Sequence, residues 1–388
     1  MSSDHEPAAG AMHDPAPVIT LRMAAWSAEQ LDTLSLTPDH TAPLIAEADF
    51  APVSDDICVW DAWPILNRDG TRPGGDLWMA LASPWFTDPE ERHGHARIHL
   101  MERTADGWHT FGPAMPDGFS PGSREWSGSA ILHEDCETLT LYFTAAGRRG
   151  ETALSYEQRL FEATATLRAG ADGWRLTGWR DLMESIRFDP AWYMSPQAGP
   201  ATIGKIKAFR DPGYFLDAAS GRQFLFFTGS LADSTSPFNG AIGLAHASPL
   251  APRDWRILPP LISADRLNNE LERPHVVVHD GLYYLFWSTQ SHIFDPDGPV
   301  GPTGLYGMVS SDLLGDWRPL NGSGLVIANP PAAPRQAYSW LVLPDLSVTS
   351  FVDDWGHGAA HMGSRRFGGS FAPFLRLALD GATTRLIV

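Results

Sequence analysis

Apolar residues along this chain come in short runs that alternate with polar ones and are broken by Gly, Pro or Asp. Thr138-Leu139-Thr140-Leu141-Tyr142-Phe143-Thr144 and Gln223-Phe224-Leu225-Phe226-Phe227-Thr228 are two of them. In a strand successive side chains point to opposite faces, so each run predicts a β-strand with a buried face. Val276-Val277-Val278, Asp280-Gly281 and Leu282-Tyr283-Tyr284-Leu285-Phe286 together predict a hairpin, because Asp-Gly supplies the positive φ of a tight turn. A short helix is predicted from Trp26 to Leu34, with Ser27 and Gln30 in capping-box positions. No long helical period and no strand–helix alternation follows, so the chain reads as all-β.

A weak repeat runs through these strands. A turn with Asp or Gly, then Trp, then a short strand recurs at Asp106-Gly107-Trp108, Asp172-Gly173-Trp174, Asp254-Trp255 and Asp316-Trp317. The runs Gly240-Ala241-Ile242-Gly243-Leu244-Ala245 and Gly304-Leu305-Tyr306-Gly307-Met308-Val309 precede the last two. Units of this size with several strands fit the blades of a β-propeller around a central channel, and the length has room for roughly four to six. No linker interrupts them, so residues 19–388 read as one propeller domain with a central pocket. Residues 1–18, rich in Pro, Ala, Asp and His, read as a disordered tail.

Composition narrows the function classes. With 388 residues, 43% hydrophobic and 19% charged, the chain is globular with a full core. A net charge of −18 opposes nucleic acid as a partner, since that backbone demands Lys and Arg. No apolar run reaches the ~18 residues of a membrane span. Met1 to Pro17 has no apolar core behind basic residues and does not read as a secretory signal, which leaves a cytoplasmic location or export by a signal-independent route. Cys58 and Cys136 allow at most one disulfide and are expected to be buried free thiols. Most of the fifteen Trp belong in the core, and a few have the flat apolar face that stacks on sugar C–H surfaces.

The chemistry is carried by three carboxylate motifs: Val59-Trp60-Asp61-Ala62-Trp63-Pro64, Phe209-Arg210-Asp211-Pro212 and Glu270-Leu271-Glu272-Arg273-Pro274-His275. Each alone has a plain structural reading, a turn Asp or a local ion pair. Together they supply what cleavage of a glycosidic bond with retention needs, one carboxylate to attack and a second carboxyl to donate a proton. Alternation along a strand would turn Glu270 and Glu272 to the same face. His93 and His95 have the spacing of one strand face, but no third ligand accompanies them and no metal site is expected. No phosphate-binding Gly loop and no nucleophile-elbow signature is present.

With Glu125-Trp126-Ser127-Gly128-Ser129-Ala130, His95-Ala96-Arg97-Ile98, Gly304-Leu305-Tyr306-Gly307, Leu320-Asn321-Gly322-Ser323-Gly324-Leu325 and Ala337-Tyr338-Ser339, these motifs resemble glycoside hydrolase family 68, the levansucrases, inulosucrases and bacterial β-fructofuranosidases. The resemblance implies a five-bladed propeller that cleaves sucrose and needs no cofactor. It implies Asp61 as nucleophile, Asp211 as transition-state stabiliser and Glu272 as general acid/base. Ser127 matches the serine that hydrogen-bonds the nucleophile, Trp60 and Trp126 the walls of the fructosyl pocket, and Arg210 the arginine that binds sugar hydroxyls. Arg273 and Tyr338 match positions near the glucosyl unit, and Glu270 lies two residues from the acid. Ala62 departs mildly from the usual Ser or Thr. Gln290 stands where many levan-forming members carry His or Arg, with His292 nearby. That points to hydrolysis and short fructo-oligosaccharides rather than long levan. A sugar-binding propeller without catalysis is the alternative of another class, and the intact Asp61 and Glu272 oppose it.

Overall fold

A computed structural model describes residues 19–197, 202, 205–356 and 365–387. The expected tail at residues 1–18 lies outside them. The described chain is built from strands, and its α-helix, Ala28–Leu31, is one turn long. The expected helix was longer; Gln30 Oε1 accepts the Ser27 amide at 3.0 Å, but the turn ends at Leu31. Among the described residues no helix is long and apolar enough to cross a membrane.

Strand pairing resolves into five antiparallel units. One sheet of eight strands holds the first two. Its halves, Ile57–Asn67 to Gly107–Pro113 and Arg124–Leu132 to Gly173–Ile186, are joined in the sheet by a short parallel pairing of Ile65–Asn67 with Ala130–Leu132. The third unit runs from Phe209–Asp217 to Ala251–Ser263, the fourth from Glu272–His279 to Leu325–Ala328, and the fifth from Ala337–Val342 to Thr383–Leu386. The first strand of each unit packs beside the first strand of the next, and Ala337–Val342 returns to Ile57–Asn67. Five leading strands therefore surround one axis, the architecture of a β-propeller.

The turn chemistry explains the meanders. Asp280 (φ 47°) and Gly281 (φ 75°) make the predicted hairpin turn, pairing His279 with Leu282. The Asp–Trp repeat falls on or next to the fourth strand of each of the first four units: Gly107–Pro113, Gly173–Ile186, Ala251–Ser263 and Arg318–Pro319. Segment 24–42 straps the outside. Ala24–Ala25 adds a parallel strand to Ala251–Ser263, Trp26 is buried against Trp287 and Tyr306, and Ala42 N donates to Ala328 O at 2.9 Å.

One expectation fails. Cys58 is a buried free thiol, but Cys136 is exposed. Asp135 accepts the amides of Glu137 and Thr138, closing a turn that puts Cys136 at φ 57° on the surface, between strands rather than in one.

Candidate active site

Every leading strand breaks register once, at the same depth along the axis. The breaks lie between Trp60 and Ala62, Trp126 and Gly128, Arg210 and Gly213, Glu272 and His275, and Tyr338 and Leu341. A bulge re-aims the side chains beside it. Here it turns two successive residues per unit to the axis: Trp60-Asp61, Trp126-Ser127, Arg210-Asp211, Glu272-Arg273 and Tyr338-Ser339. All ten line one cavity of about 380 Å³.

The backbone is strained there. Asp61, Asp211, Arg273 and Ser339 have φ of 43°, 62°, 52° and 58°, a region costly for residues with a Cβ. In the second unit the constraint falls on Gly128 instead, where a Cβ would lie 1.8 Å from the Tyr142 carbonyl oxygen.

On one side of the cavity, Ser127 Oγ donates to Asp61 Oδ2 at 2.6 Å. Trp60 and Trp126 stand beside Asp61 and Ser127, and Trp126 Nε1 donates to His93 O at 3.3 Å. On the other side, the buried Arg210 guanidinium gathers three carboxylates. Its Nη2 lies 2.6 Å from Glu272 Oε1 and 3.1 Å from Glu270 Oε2, and its Nε 3.6 Å from Asp211 Oδ2. Tyr338 donates its hydroxyl to Glu272 Oε2. Asp211 also accepts from Thr228 Oγ1 at 3.1 Å. Burial pushes the Asp211 and Glu270 carboxyls each up to about 7, against the pull of Arg210. Burial opposes the charge on Arg210, but Glu270, Glu272 and Asp211 hold it above its ordinary range.

All twelve expected site residues line this cavity. Glu270 and Glu272 both reach it, though not by alternation along a strand: the strand begins at Glu272, and Glu270 lies in the segment before it. Arg273 forms part of the wall, with its guanidinium committed within the protein. It donates to Ser339 Oγ at 2.7 Å and to Ala62 O at 2.7 Å, so it ties the fourth unit to the fifth and the first. Gln290 precedes a 3₁₀ turn, Ser291–Ile293, and His292 sits within it, just past the strand Leu282–Thr289.

Other lining residues were not expected in the cavity. Glu90, Arg92 and His93 come from a 3₁₀ helix, Pro89–Gly94, and not from a strand face. His93 points into the cavity with its ring edge-on to Trp60, and burial keeps its imidazole neutral, well below its usual range. His95 is exposed and stacks on Phe86. Ser339, next to Tyr338, also lines the cavity and accepts from Arg273 at 2.7 Å. Among the described residues no three His, Cys, Asp or Glu side chains gather as a metal site would require.

A profile of the family described as levansucrase/invertase, a glycoside hydrolase family, matches residues 12–237 and 233–387. A levansucrase of Rahnella aquatilis is 33% identical over 94% of this chain and 93% of its own length. An inulosucrase of Halalkalicoccus jeotgali, solved bound to kestose, superposes with a TM-score of 0.86 at 35% identity, covering 94% of this chain and 95% of that one. The catalytic domain of a β-fructofuranosidase of Microbacterium saccharophilum superposes with a TM-score of 0.83 at 25% identity, over 95% of this chain and 91% of that one.

Proposed function

The chain belongs to glycoside hydrolase family 68, the levansucrases and invertases, and we infer that it cleaves sucrose and passes the fructosyl unit to water or to a sugar acceptor. The observation that carries the mechanism is the shared bulge, which delivers Asp61, Asp211 and Glu272 from three units to one cavity.

Asp61 attacks the anomeric carbon of the fructosyl unit. The Ser127 hydroxyl fixes one of its oxygens and stabilises the carboxylate form. Glu272 protonates the departing glucosyl oxygen. Its side chain is 18% exposed, against 7% for Asp211 and 6% for Glu270, so it is the member of the cluster most open to an incoming glycosidic oxygen. The three carboxyls share one guanidinium, and with Asp211 and Glu270 raised to about 7 the cluster holds a proton near neutral pH. Glucose leaves and a fructosyl ester remains on Asp61. Glu272, now a base, takes a proton from water or a sugar hydroxyl as that oxygen attacks, and the net configuration is retained. Asp211 and Arg210 hold fructosyl hydroxyls, Trp60 and Trp126 stack on the ring, and Glu270, Tyr338, Gln290 and His292 face the glucosyl or acceptor side. Arg273 braces the wall.

Gln290 places a neutral amide on the acceptor side, which holds a growing chain less firmly than a charged group. The products are therefore glucose, fructose and short fructo-oligosaccharides at high sucrose. The levansucrase relatives favour the second reading, long levan. Incubation with concentrated sucrose, followed by sugar analysis and size-exclusion chromatography, separates the two. Absence of glucose release would sink the whole reading, and abundant high-mass polymer only the product assignment.

A further inference from the structure

Glu270 is held by both of its oxygens. Arg210 Nη2 lies 3.1 Å from Oε2, and Asn269 Nδ2 donates to Oε1 at 3.2 Å. An amide suits a carboxylate at only one of its ends; turned over, Asn269 would set its own oxygen against Glu270. The Asn269 Nδ2 also reaches Ile206 O, at a long 3.5 Å, and the firmer hold on the sense of the amide comes from behind, from Lys207. The Lys207 ammonium donates to Asn269 Oδ1 at 2.8 Å, to Asn239 Oδ1 at 2.5 Å and to the Pro237 carbonyl. Three protons meet three acceptors on a side chain that is 7% exposed. Asn239 is itself anchored, donating to Leu231 O at 2.8 Å. The Glu270 backbone is fixed separately: its amide donates to Asn268 Oδ1 at 2.8 Å, and Asn268 donates to Thr289 Oγ1 at 2.9 Å. The chain of contacts therefore runs from Lys207 through the Asn269 amide to Glu270, Arg210 and Glu272.

We propose that Lys207 is a positioning residue. Through the Asn269 amide it sets the orientation of the Glu270 carboxylate, and so decides how firmly the pocket holds the sugar that leaves or receives the fructosyl unit. This rests on the reading that Glu270 faces the glucosyl or acceptor side. The ammonium also sets positive charge behind Glu270, where burial would otherwise disfavour the carboxylate. Without Lys207 only the long Nδ2 contact to Ile206 O, 3.5 Å, still sets the sense of the amide, and the Asn269 anchor on Glu270 is weakened, while Asp61, Ser127, Trp60 and Trp126 keep their contacts.

The test compares two donors. Sucrose needs glucosyl contacts; fructosyl fluoride has none to make. Lys207→Met should raise KM for sucrose about 10-fold, the loss expected when a buried polar partner is removed, and should lower the share of transfer at high sucrose. Hydrolysis of fructosyl fluoride should stay close to that of the parent. Asn269→Leu, which keeps the lysine, should give the same pattern and carries the test if Lys207→Met does not fold. In a Glu270→Gln background, adding Lys207→Met should change sucrose KM little further. Equal losses on both donors in a folded variant, or additive effects in the double mutant, would overturn the proposal. If Glu270→Gln itself treats the two donors alike, the leaving-side reading fails first. If it discriminates and the Lys207 and Asn269 variants do not, only the positioning role of Lys207 fails.

Discussion

The first two units and the next two place a carboxylate at the axis with the same backbone device and opposite surroundings. Asp61 stands on its bulge with a hydroxyl for a partner, Ser127 at 2.6 Å. Glu272 stands on an equivalent bulge inside a knot of charge, with Arg210 at 2.6 Å, Glu270 on the same guanidinium, and Tyr338 donating from the fifth unit. The Ser127 hydroxyl holds one oxygen of Asp61 and brings no charge to it. Beside Glu272, burial pushes the Asp211 and Glu270 carboxyls each up to about 7. The propeller fixes where the two groups stand; in the proposed mechanism the neighbouring units decide which attacks and which handles the proton.

Removing one side should separate these roles most sharply. Asp61→Ala should abolish turnover of sucrose, by about 10⁴-fold or more, and of fructosyl fluoride equally, because both donors pass through the ester on Asp61. Retention of a few per cent of parent activity on either donor would end the nucleophile assignment. Glu272→Gln should cost roughly 10²–10⁴-fold on sucrose and far less on fructosyl fluoride, whose leaving group needs no proton. Equal losses on the two donors would contradict the acid role.

The charge knot should also reveal itself without substrate. Asp211 and Glu270 titrate near 7 in the folded protein, above the value of about 4 for an unfolded carboxylate. The folded state then binds the extra protons, so this contribution to stability is complete below that lower value and is lost as pH rises through 7. Urea midpoints of the free protein should fall from about pH 5 to about pH 8, and Asp211→Asn should flatten the slope. A parent slope of the opposite sign, unaffected by Asp211→Asn, would show that the cluster does not store protons. The smallest effect is expected at the rim. Gln290→His should move product length or transfer share by a few-fold, measured by oligosaccharide chromatography, with sucrose turnover largely kept. Unchanged products would place the acceptor contact elsewhere.

What could be read from the chain beforehand follows from where the signal resides. The outer strands repeat in their side chains, since Asp-Gly or Asp followed by Trp is what their turns and edges require, and those units could be seen. The axial strands repeat only in their backbone. The five bulged positions hold Asp61, Ser127, Asp211, Arg273 and Ser339, three residue types in no repeating order. Their common geometry is invisible without the pairing register. Asp61, Arg210, Asp211 and Glu272 were legible through the family resemblance and a contiguous motif. Arg92 and His93 were not, because a 3₁₀ turn carries them to the cavity and no period predicts that turn. Cys136 was misplaced for a related reason: alternation locates strands but not the Asp135-capped turn before them.

The left-handed backbone at Asp61 and Asp211 has a further consequence for anyone reshaping this protein. Glycine relieves such a conformation, and each of these positions is therefore a place where a single substitution offers a more comfortable chain. A search for thermal robustness alone, by selection or by computation, would be drawn to the very side chains to which the proposed mechanism gives the chemistry. Robust variants worth having must be sought in the outer strands and the 24–42 strap, with the axial layer frozen.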